Sequence, residues 1–398
     1  MAKANSMEVK PQIETFAKIR VLGVGGSGGA AINRMMQHKI RGIDFVAINT
    51  DAQALHHNAA PSKIHIGKTT TRGLGAGMDP ELGRQAAEED QEEMHELLKG
   101  SDMVFITGGL GGGTGTGAMP LIAEIAKDVG ALTVAVVTKP FTFEGAQRRQ
   151  IADSGLNELS DKVDTIITIP NDRLLQIIDK KTSLLEAFQV VDDVLRQGIQ
   201  GIAELITVPG LINVDFADVK AIMKDQGTAL MGIGRGTGEN RAVDAAKAAI
   251  DSPLLEMPID GARGVLFTVT GGNSLSMYEV NEAARIITQS ADSNAKIIFG
   301  AVIEEGMKDE IKITVIATGF GKGASRAVKK STPMSMATPT PFESKPLTVD
   351  KPRSNIPSTP LPSITSPSTF LPKAPPVTTK TKEEEDLDIP AFIRKKMM

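Results

Sequence analysis

Two glycine-rich turns carry the residues in this chain best suited to hold a polyanion. The second reads Gly111-Gly112-Gly113-Thr114-Gly115-Thr116-Gly117. Glycine at that density lets backbone N–H groups turn inward and approach phosphate without side-chain interference. The apolar run Met103-Val104-Phe105-Ile106 precedes it as a strand, and Leu121, Ile122, Ile125, Ala126 and Val129 follow at helical spacing. Residues 108–117 are therefore a strand–loop–helix phosphate cradle, with the orphan N–H groups of a helix start behind it. Thr114 and Thr116 add hydroxyl donors. The first turn, Gly23-Val24-Gly25-Gly26-Ser27-Gly28-Gly29, lies between the strand Ile19–Leu22 and a helix over Ala30–Gln37.

The first turn contains Gly23-x-Gly25-x-x-Gly28, the dinucleotide fingerprint, and Asp51 stands where a ribose-binding acid belongs. Alone, it would suit a nicotinamide-dependent oxidoreductase. Against that reading, a second cradle is superfluous for one dinucleotide, and no His, Lys or Tyr stands in an obvious hydride-transfer setting. Gly67-Lys68-Thr69 lacks the upstream glycine of a P-loop, which excludes that NTPase class. A mononucleotide gripped by two glycine loops remains.

The elements that position these turns read as an α/β fold. Strand and helix alternate from Lys18, as in a parallel sheet covered on both faces. Strands are expected at 44–49, 132–138 and 165–169, and one acidic amphipathic helix over Pro80–Lys99. A long helix, Ser183–Ile206, places Leu184, Phe188, Val191, Leu195, Ile199, Ile202 and Ile206 on one face. Its Gly198 and Gly201, each costing roughly 1 kcal/mol against Ala, imply close packing against a neighbour. A second, smaller α/β domain follows, with strands near 227–234, 265–270, 296–303 and 311–318 and helices near 241–250 and 278–291.

The resulting division is a polar extension (1–17), a Rossmann-like nucleotide domain (18–182), a central helix (183–207) and a C-terminal α/β domain (208–321). Residues 322–382 hold 12 of the 22 prolines and ten Lys or Arg against two Asp or Glu, which is the composition of a disordered linker. The tail, 383–398, places Leu387, Ile389, Phe392 and Ile393 between acidic and basic clusters, so it is either a partner-binding peptide or a frayed terminus.

Bulk composition excludes several functions. Cysteine is absent, so there are no disulfides or thiolate metal sites, which suits a reducing cytosol. Neither a secretory leader nor an 18-residue apolar run is present, and the five His show no metal-ligand spacing. The net charge of −4 conceals a basic linker, leaving about −10 on the rest of the chain outside the linker and tail, so nucleic-acid binding by the core is not expected.

At this point a resemblance becomes specific. Residues 111–117 are similar to the signature loop of the tubulin/FtsZ GTPase superfamily. The first turn, Asn49-Thr50-Asp51-Ala52-Gln53, Pro140-Phe141-Thr142-Phe143-Glu144-Gly145, Asn213-Val214-Asp215-Phe216-Ala217-Asp218-Val219 and the tail Asp388-Ile389-Pro390-Ala391-Phe392-Ile393-Arg394 resemble its bacterial division branch.

The resemblance implies that Gly25, Gly26, Ser27, Gly28, Gly29 and Ala30, with Gly111, Gly112, Gly113, Thr114, Gly115 and Thr116, surround the phosphates of GTP or GDP. Glu144 would meet the ribose, Arg148 the sugar and phosphates, Asp192 the guanine edge, Phe188 the ring face, and Asn171 the base or ribose. From spacing alone, Glu144 and Arg148 form an i, i+4 helix-surface pair, Phe188 is core and Asp192 is a solvated face. Where members commonly carry Asn, this chain has Gly29 and Ala30.

Asp215 and Asp218 are spaced i, i+3 at a helix start. Physical chemistry alone reads them as acids favouring the helix dipole, with Asn213 as cap. The resemblance implies instead that they orient water in the nucleotide pocket of the next subunit, with Asn213 positioning the loop. It further implies a head-to-tail homopolymer forming the cytokinetic ring, Mg²⁺ held mainly by phosphates and water without a protein metal site, membrane-tethering and regulatory partners on the tail, and a cytoplasmic location at the division site.

Overall fold

The computed structural model describes residues 17–320, apart from 39, 41, 177, 179, 180, 209, 213, 256 and 305. The expected linker and tail, nearly all of the N-terminal extension, and Asn213 lie outside the described residues.

The chain opens with β1 (Ile19–Val24), α1 (Gly25–Gln37), β2 (Ile43–Asn49), α2 (Ala52–His56) and β3 (Ser62–His65). Next come α3 (Pro80–Glu89), α4 (Gln91–Leu98), β4 (Met103–Gly109), α5 (Gly113–Asp128), β5 (Leu132–Lys139), α6 (Ala146–Ser160) and β6 (Thr165–Pro170). The short α7 (Asn171–Leu174) leads to α8 (Leu184–Thr207) and α9 (Phe216–Met223). The C-terminal half is β7 (Gly227–Thr237), α10 (Arg241–Ile250), β8 (Gly264–Gly271), α11 (Met277–Gln289), β9 (Lys296–Ile303) and β10 (Glu310–Thr318).

Among the described residues, ten strands form one sheet in the order β3-β2-β1-β4-β5-β6-β7-β10-β8-β9. The first six are parallel and follow the doubly wound order. Strand order reverses between β1 and β4, and the crevice outside the carboxyl ends of strands at such a reversal is where α/β sheets bind ligands. Both glycine turns lie there, one after each strand. β7 continues in parallel from β6 over Thr165–Ile167, whereas β10 runs antiparallel to both β7 and β8.

Alternation along the strands builds two cores. Val21, Phe45, Phe105, Val134 and Ile167 point to one face, against Ala31, Ile32 and Met35 of α1 and Val194, Leu195, Ile199 and Ile202 of α8. Leu22, Val46, Val104, Ile106 and Val137 point to the other, against α3 to α6. A third core joins β7, β8 and β10 to α10 and α11. Cβ atoms at Gly198 and Gly201 would meet Met231 Sδ at 2.9 Å and Thr314 Cγ2 at 3.2 Å, so α8 does lie close on the C-terminal sheet.

Three sequence expectations are corrected. Both glycine turns are shorter than expected, because helix begins at Gly25 and Gly113 rather than after the glycines. The acidic helix is two, broken at Asp90, whose carboxylate accepts from the N–H of Gly67 while that of Glu89 accepts from Thr69 and Thr70. The break aims these acids at the preceding loop. Finally, the N-cap position of α9 is Asp215, whose side chain makes no capping hydrogen bond.

Candidate functional site

Several helix starts in this chain lack a side-chain cap, α1 and α5 among them. The side chains of Asp79, Ser183 and Ser276 cap α3, α8 and α11. α1 and α5 follow Val24 and Gly112, have no side-chain cap, and carry no acid in the first turn. Apart from the N–H of Gly113, which is given to the Gly77 carbonyl, their first N–H groups keep donor capacity at the positive ends of two helix dipoles. The two ends abut: a Cβ on Gly25, which has φ +72°, would lie 3.2 Å from the backbone nitrogen of Gly115. Gly26 and Gly112, by contrast, face open space, with nothing within 4 Å of a Cβ.

A cavity of about 370 Å³ opens over this double N-terminus. It is lined by Gly25, Gly26, Ser27, Gly112, Gly113, Thr114 and Gly115, and on its far side by Glu144, Arg148, Asn171, Phe188 and Asp192. The structure thus brings together residues spread over more than 160 positions of sequence. Gly29 and Ala30 line a smaller adjoining cavity of about 150 Å³ that shares Gly25 and Gly26. Beside them Asn58 donates from Nδ2 to the Gly29 carbonyl at 2.8 Å, bringing an amide from another element. Gly28 is buried, and a Cβ there would press the Thr107 carbonyl at 2.6 Å, so its small size serves packing.

The threonines have internal duties. Thr114 and Thr50 share a buried hydroxyl hydrogen bond of 2.6 Å, tying the end of β2 to the second turn. Thr116 Oγ1 accepts from the N–H of Gly111 at 2.9 Å and is buried behind the turn, so it shapes the cradle instead of facing the cavity.

At the other end, Glu144 accepts from the N–H of Phe141 at 2.8 Å and from Arg148 at 2.6 Å. The i, i+4 pair therefore forms, but on the cavity wall. Phe188 is 41 % exposed, not core, and stands edge-on to Phe141 with ring centroids 5.7 Å apart. Burial raises the Asp192 carboxyl from 3.8 to about 6, with Arg34 opposing the shift and Asp193 adding to it. Asn171 is buried, and its Oδ1 has no partner among the described residues. An acceptor left unmet in a cavity wall calls for a ligand donor.

Sequence reasoning missed Gly77, Thr138, Pro140 and Val191 in the lining. A signal for Gly77 existed: Gly73, Gly75 and Gly77 alternate, all with positive φ, and Gly77 accepts from the N–H of Gly113 at 2.8 Å.

Asp215 and Asp218 are exposed and do not line this cavity. The backbone N–H of Asp218 donates to the Asp215 carbonyl at 3.0 Å, which fixes the two residues within one turn. Asp192 sits near the start of α8, and the other end reaches Thr207, against which a Cβ on Gly42 would press just before β2 begins. Those 15 residues of helix span roughly 22 Å. α9 ends where Thr165 opens β6, its hydroxyl bonded to the Met223 carbonyl. The two carboxylates thus belong to the amino-terminal edge of the parallel sheet, and the cavity to its carboxyl edge.

Comparison with known proteins agrees with this architecture. The sequence model described as the Tubulin/FtsZ family, GTPase domain, matches residues 18–179, and that of the FtsZ family, C-terminal domain, matches residues 227–321. Among solved structures, an empty FtsZ dimer from M. jannaschii is 49 % identical over 77 % of this chain and 89 % of that one, with a TM-score of 0.74. A mutant of the same M. jannaschii protein matches at 49 % identity and a TM-score of 0.75, over 77 % of this chain and 92 % of its own. CetZ2 from Haloferax volcanii, solved as a protofilament with GTPγS, shares the fold at 22 % identity and a TM-score of 0.65, over 77 % and 95 % of the two chains. With two uncapped helix ends converging on a nucleotide-sized cavity, and with both family models matched in order, the chain belongs to the FtsZ family of tubulin-like GTPases.

Proposed function

We propose that the chain is a filament-forming GTPase whose active site is completed by a second copy of itself, and that its filaments build the cytokinetic ring beneath the membrane. The carrying observation is the separation of cavity from carboxylates by the length of α8. The carboxylates lining the cavity are Glu144, engaged by Phe141 and Arg148, and Asp192, at the end away from the turns. Neither is placed to orient water at a terminal phosphate, a task phosphoryl hydrolysis requires.

A second copy stacked end to end brings the exposed Asp215 and Asp218 over the first copy's cavity. Such a contact joins unlike surfaces and does not close on itself, so it propagates as a filament. Apolar residues support both faces. Met78 and Phe143 are exposed beside the cavity residues Gly77 and Glu144, while Leu211 is exposed just before the Asp215 loop.

In this reading the N–H groups of the two turns hold the phosphates, Glu144 and Arg148 the ribose side, and Asn171 and Asp192 the guanine edge beside Phe188. The open space at Gly26 and Gly112 and the unmet Asn171 acceptor fit such a ligand. Mg²⁺ would be held by phosphate oxygens and water without a protein metal site, and would supply charge neutralisation. Asp215 and Asp218 orient the attacking water in trans. Tethering and regulatory proteins engage the tail at 383–398, outside the described residues. No described helix is long and apolar enough to cross a membrane, consistent with reliance on such partners.

The test is phosphate release per subunit against protein concentration, with sedimentation in GTP and GDP. Turnover rising above a threshold, with pelleting in GTP, is the expected result. Concentration-independent turnover without pelleting would overturn the reading. The Asp215→Ala variant should bind GTP normally yet lose hydrolysis.

A further inference from the structure

The loop that carries Asp215 is fastened to the edge of the C-terminal sheet at one point. Ile212 and Ala301 form an isolated antiparallel bridge. Leu211 donates its N–H to the Ala301 carbonyl at 3.0 Å, and Ala301 donates to the Ile212 carbonyl at 3.2 Å. Among the described residues, β9 is an edge strand whose only sheet neighbour is β8. Lys296 and Glu304 donate to Arg263 and Gly271 at the two ends of the β8 ladder. Backbone groups alternate sides along a strand, so even-numbered residues of β9 face β8 and Ala301 faces outward.

The neighbouring position is shaped for the same contact. Gly300 is buried, and a Cβ there would stand 3.3 Å from the Ile212 carbonyl oxygen and 3.5 Å from Val214 Cγ2, besides striking Leu205. Val214 itself is buried, directly before Asp215. On the far side, Val219, Ile222 and Met223 anchor α9. The loop is thus pinned at both ends, and the pin on the Ile212 side is made by two residues of β9.

We infer that Gly300 and Ala301 form a seat that positions the Asp215–Asp218 turn, so that this edge of β9 sets the rate of hydrolysis without touching nucleotide. The inference rests on the in-trans reading above. Gly300 and Ala301 are positioning residues: they act through the loop.

Ala301→Pro removes the N–H given to Ile212, and no β8 bond is lost, because that N–H faces outward and edge strands tolerate proline. At a protein concentration where the parent pellets in GTP, the variant should hydrolyse at least about tenfold more slowly. Its affinity for fluorescent GDP should stay within about twofold of the parent. Ala301→Gly keeps the N–H and should restore turnover. Gly300→Ala, a milder displacement, should give an intermediate rate.

Mixing separates loop geometry from general damage. Gly26→Asp subunits, with a carboxylate in the anion cradle but a native loop, should rescue hydrolysis in the pockets of both Ala301→Pro and Asp215→Ala subunits. Rescue of Asp215→Ala but not of Ala301→Pro would overturn the seat alone. So would parental turnover by Ala301→Pro, or a matching loss of GDP affinity. Failure to rescue Asp215→Ala would overturn the in-trans reading and the seat with it.

Discussion

The carboxylate of Asp172 accepts from Thr142 twice, from its backbone N–H at 2.8 Å and from its hydroxyl at 2.5 Å. Asp172 follows Asn171 at the start of α7, and Thr142 opens the turn that bears Phe143 and Glu144. One clamp therefore ties the Glu144 and Asn171 segments together on the far side of the cavity, with Arg149 close by, 4.0 Å from the carboxylate. Hydrogen bonds to a charged group are worth about 1.5–3 kcal/mol. Asp172→Ala should weaken GDP binding roughly tenfold, and Thr142→Val, which keeps the N–H bond, less. Fluorescence titration of the single and double variants checks this. The double variant should lose no more than Asp172→Ala alone.

The open space at two glycines gives a sharper test of the phosphate cradle. A methyl group at Gly26 or Gly112 meets no protein atom within 4 Å. Gly26→Ala and Gly112→Ala should therefore leave the melting temperature of the nucleotide-free protein nearly unchanged, while GTP affinity falls by about tenfold or more. Equal affinity in parent and variants would place the phosphates elsewhere.

Asp192 predicts opposite pH trends for stability and for binding. Its carboxyl is raised to about 6 by burial, so the fold favours the protonated form. That contribution to stability is complete below the ordinary value near 3.8 and is lost as pH rises through 6. A guanine edge needs the ionised acceptor, so GDP affinity should rise with pH through the same range, by at most about tenfold per unit. Asp192→Asn should flatten both profiles. Titrations and thermal melts between pH 4.5 and 7.5 (about 1.5 units either side of 6) would check them.

The C-terminal half has its own acid sensitivity. Arg241 and Glu279 pair at 2.6 Å between α10 and α11, and both side chains are largely buried. Arg241 and the Ser276 N–H and hydroxyl hold the Glu279 carboxyl down to about 2. Its contribution is present above the ordinary value near 4.5 and is lost as pH falls towards 2. Glu279→Gln removes the opposite charge from a largely buried guanidinium that keeps its bonds to Ser274, and should cost about 1.5–3 kcal/mol, measured by denaturant unfolding at neutral pH.

Legibility in the sequence followed periodicity and glycine. The apolar runs of β4, β5 and β6 and the alternating halves were plain, because strands buried on both faces have no polar interruption. Helix starts at Gly25 and Gly113 were not, since propensity assigns glycine to loops. Nothing in the spacing of the acidic stretch marked the break at Asp90, which serves contacts with Gly67 and its loop. Phe188 kept helical register with the core and still faces the cavity, because the register gives direction and not depth. Of the candidate site residues, the glycines were legible from composition. Glu144, Asn171 and Asp192 needed either family resemblance or the fold, since over 40 residues separate the outermost two.

The span of α8 has a consequence in counting. If one copy's pocket is served only by another copy's turn, a row of subunits holds one fewer competent pocket than it has members. On that condition a lone subunit leaves its nucleotide uncleaved, and the subunit at one end of every row does the same. Hydrolysis then tallies junctions and not molecules, and the uncleaved nucleotide at a single end gives an otherwise uniform filament a direction in time.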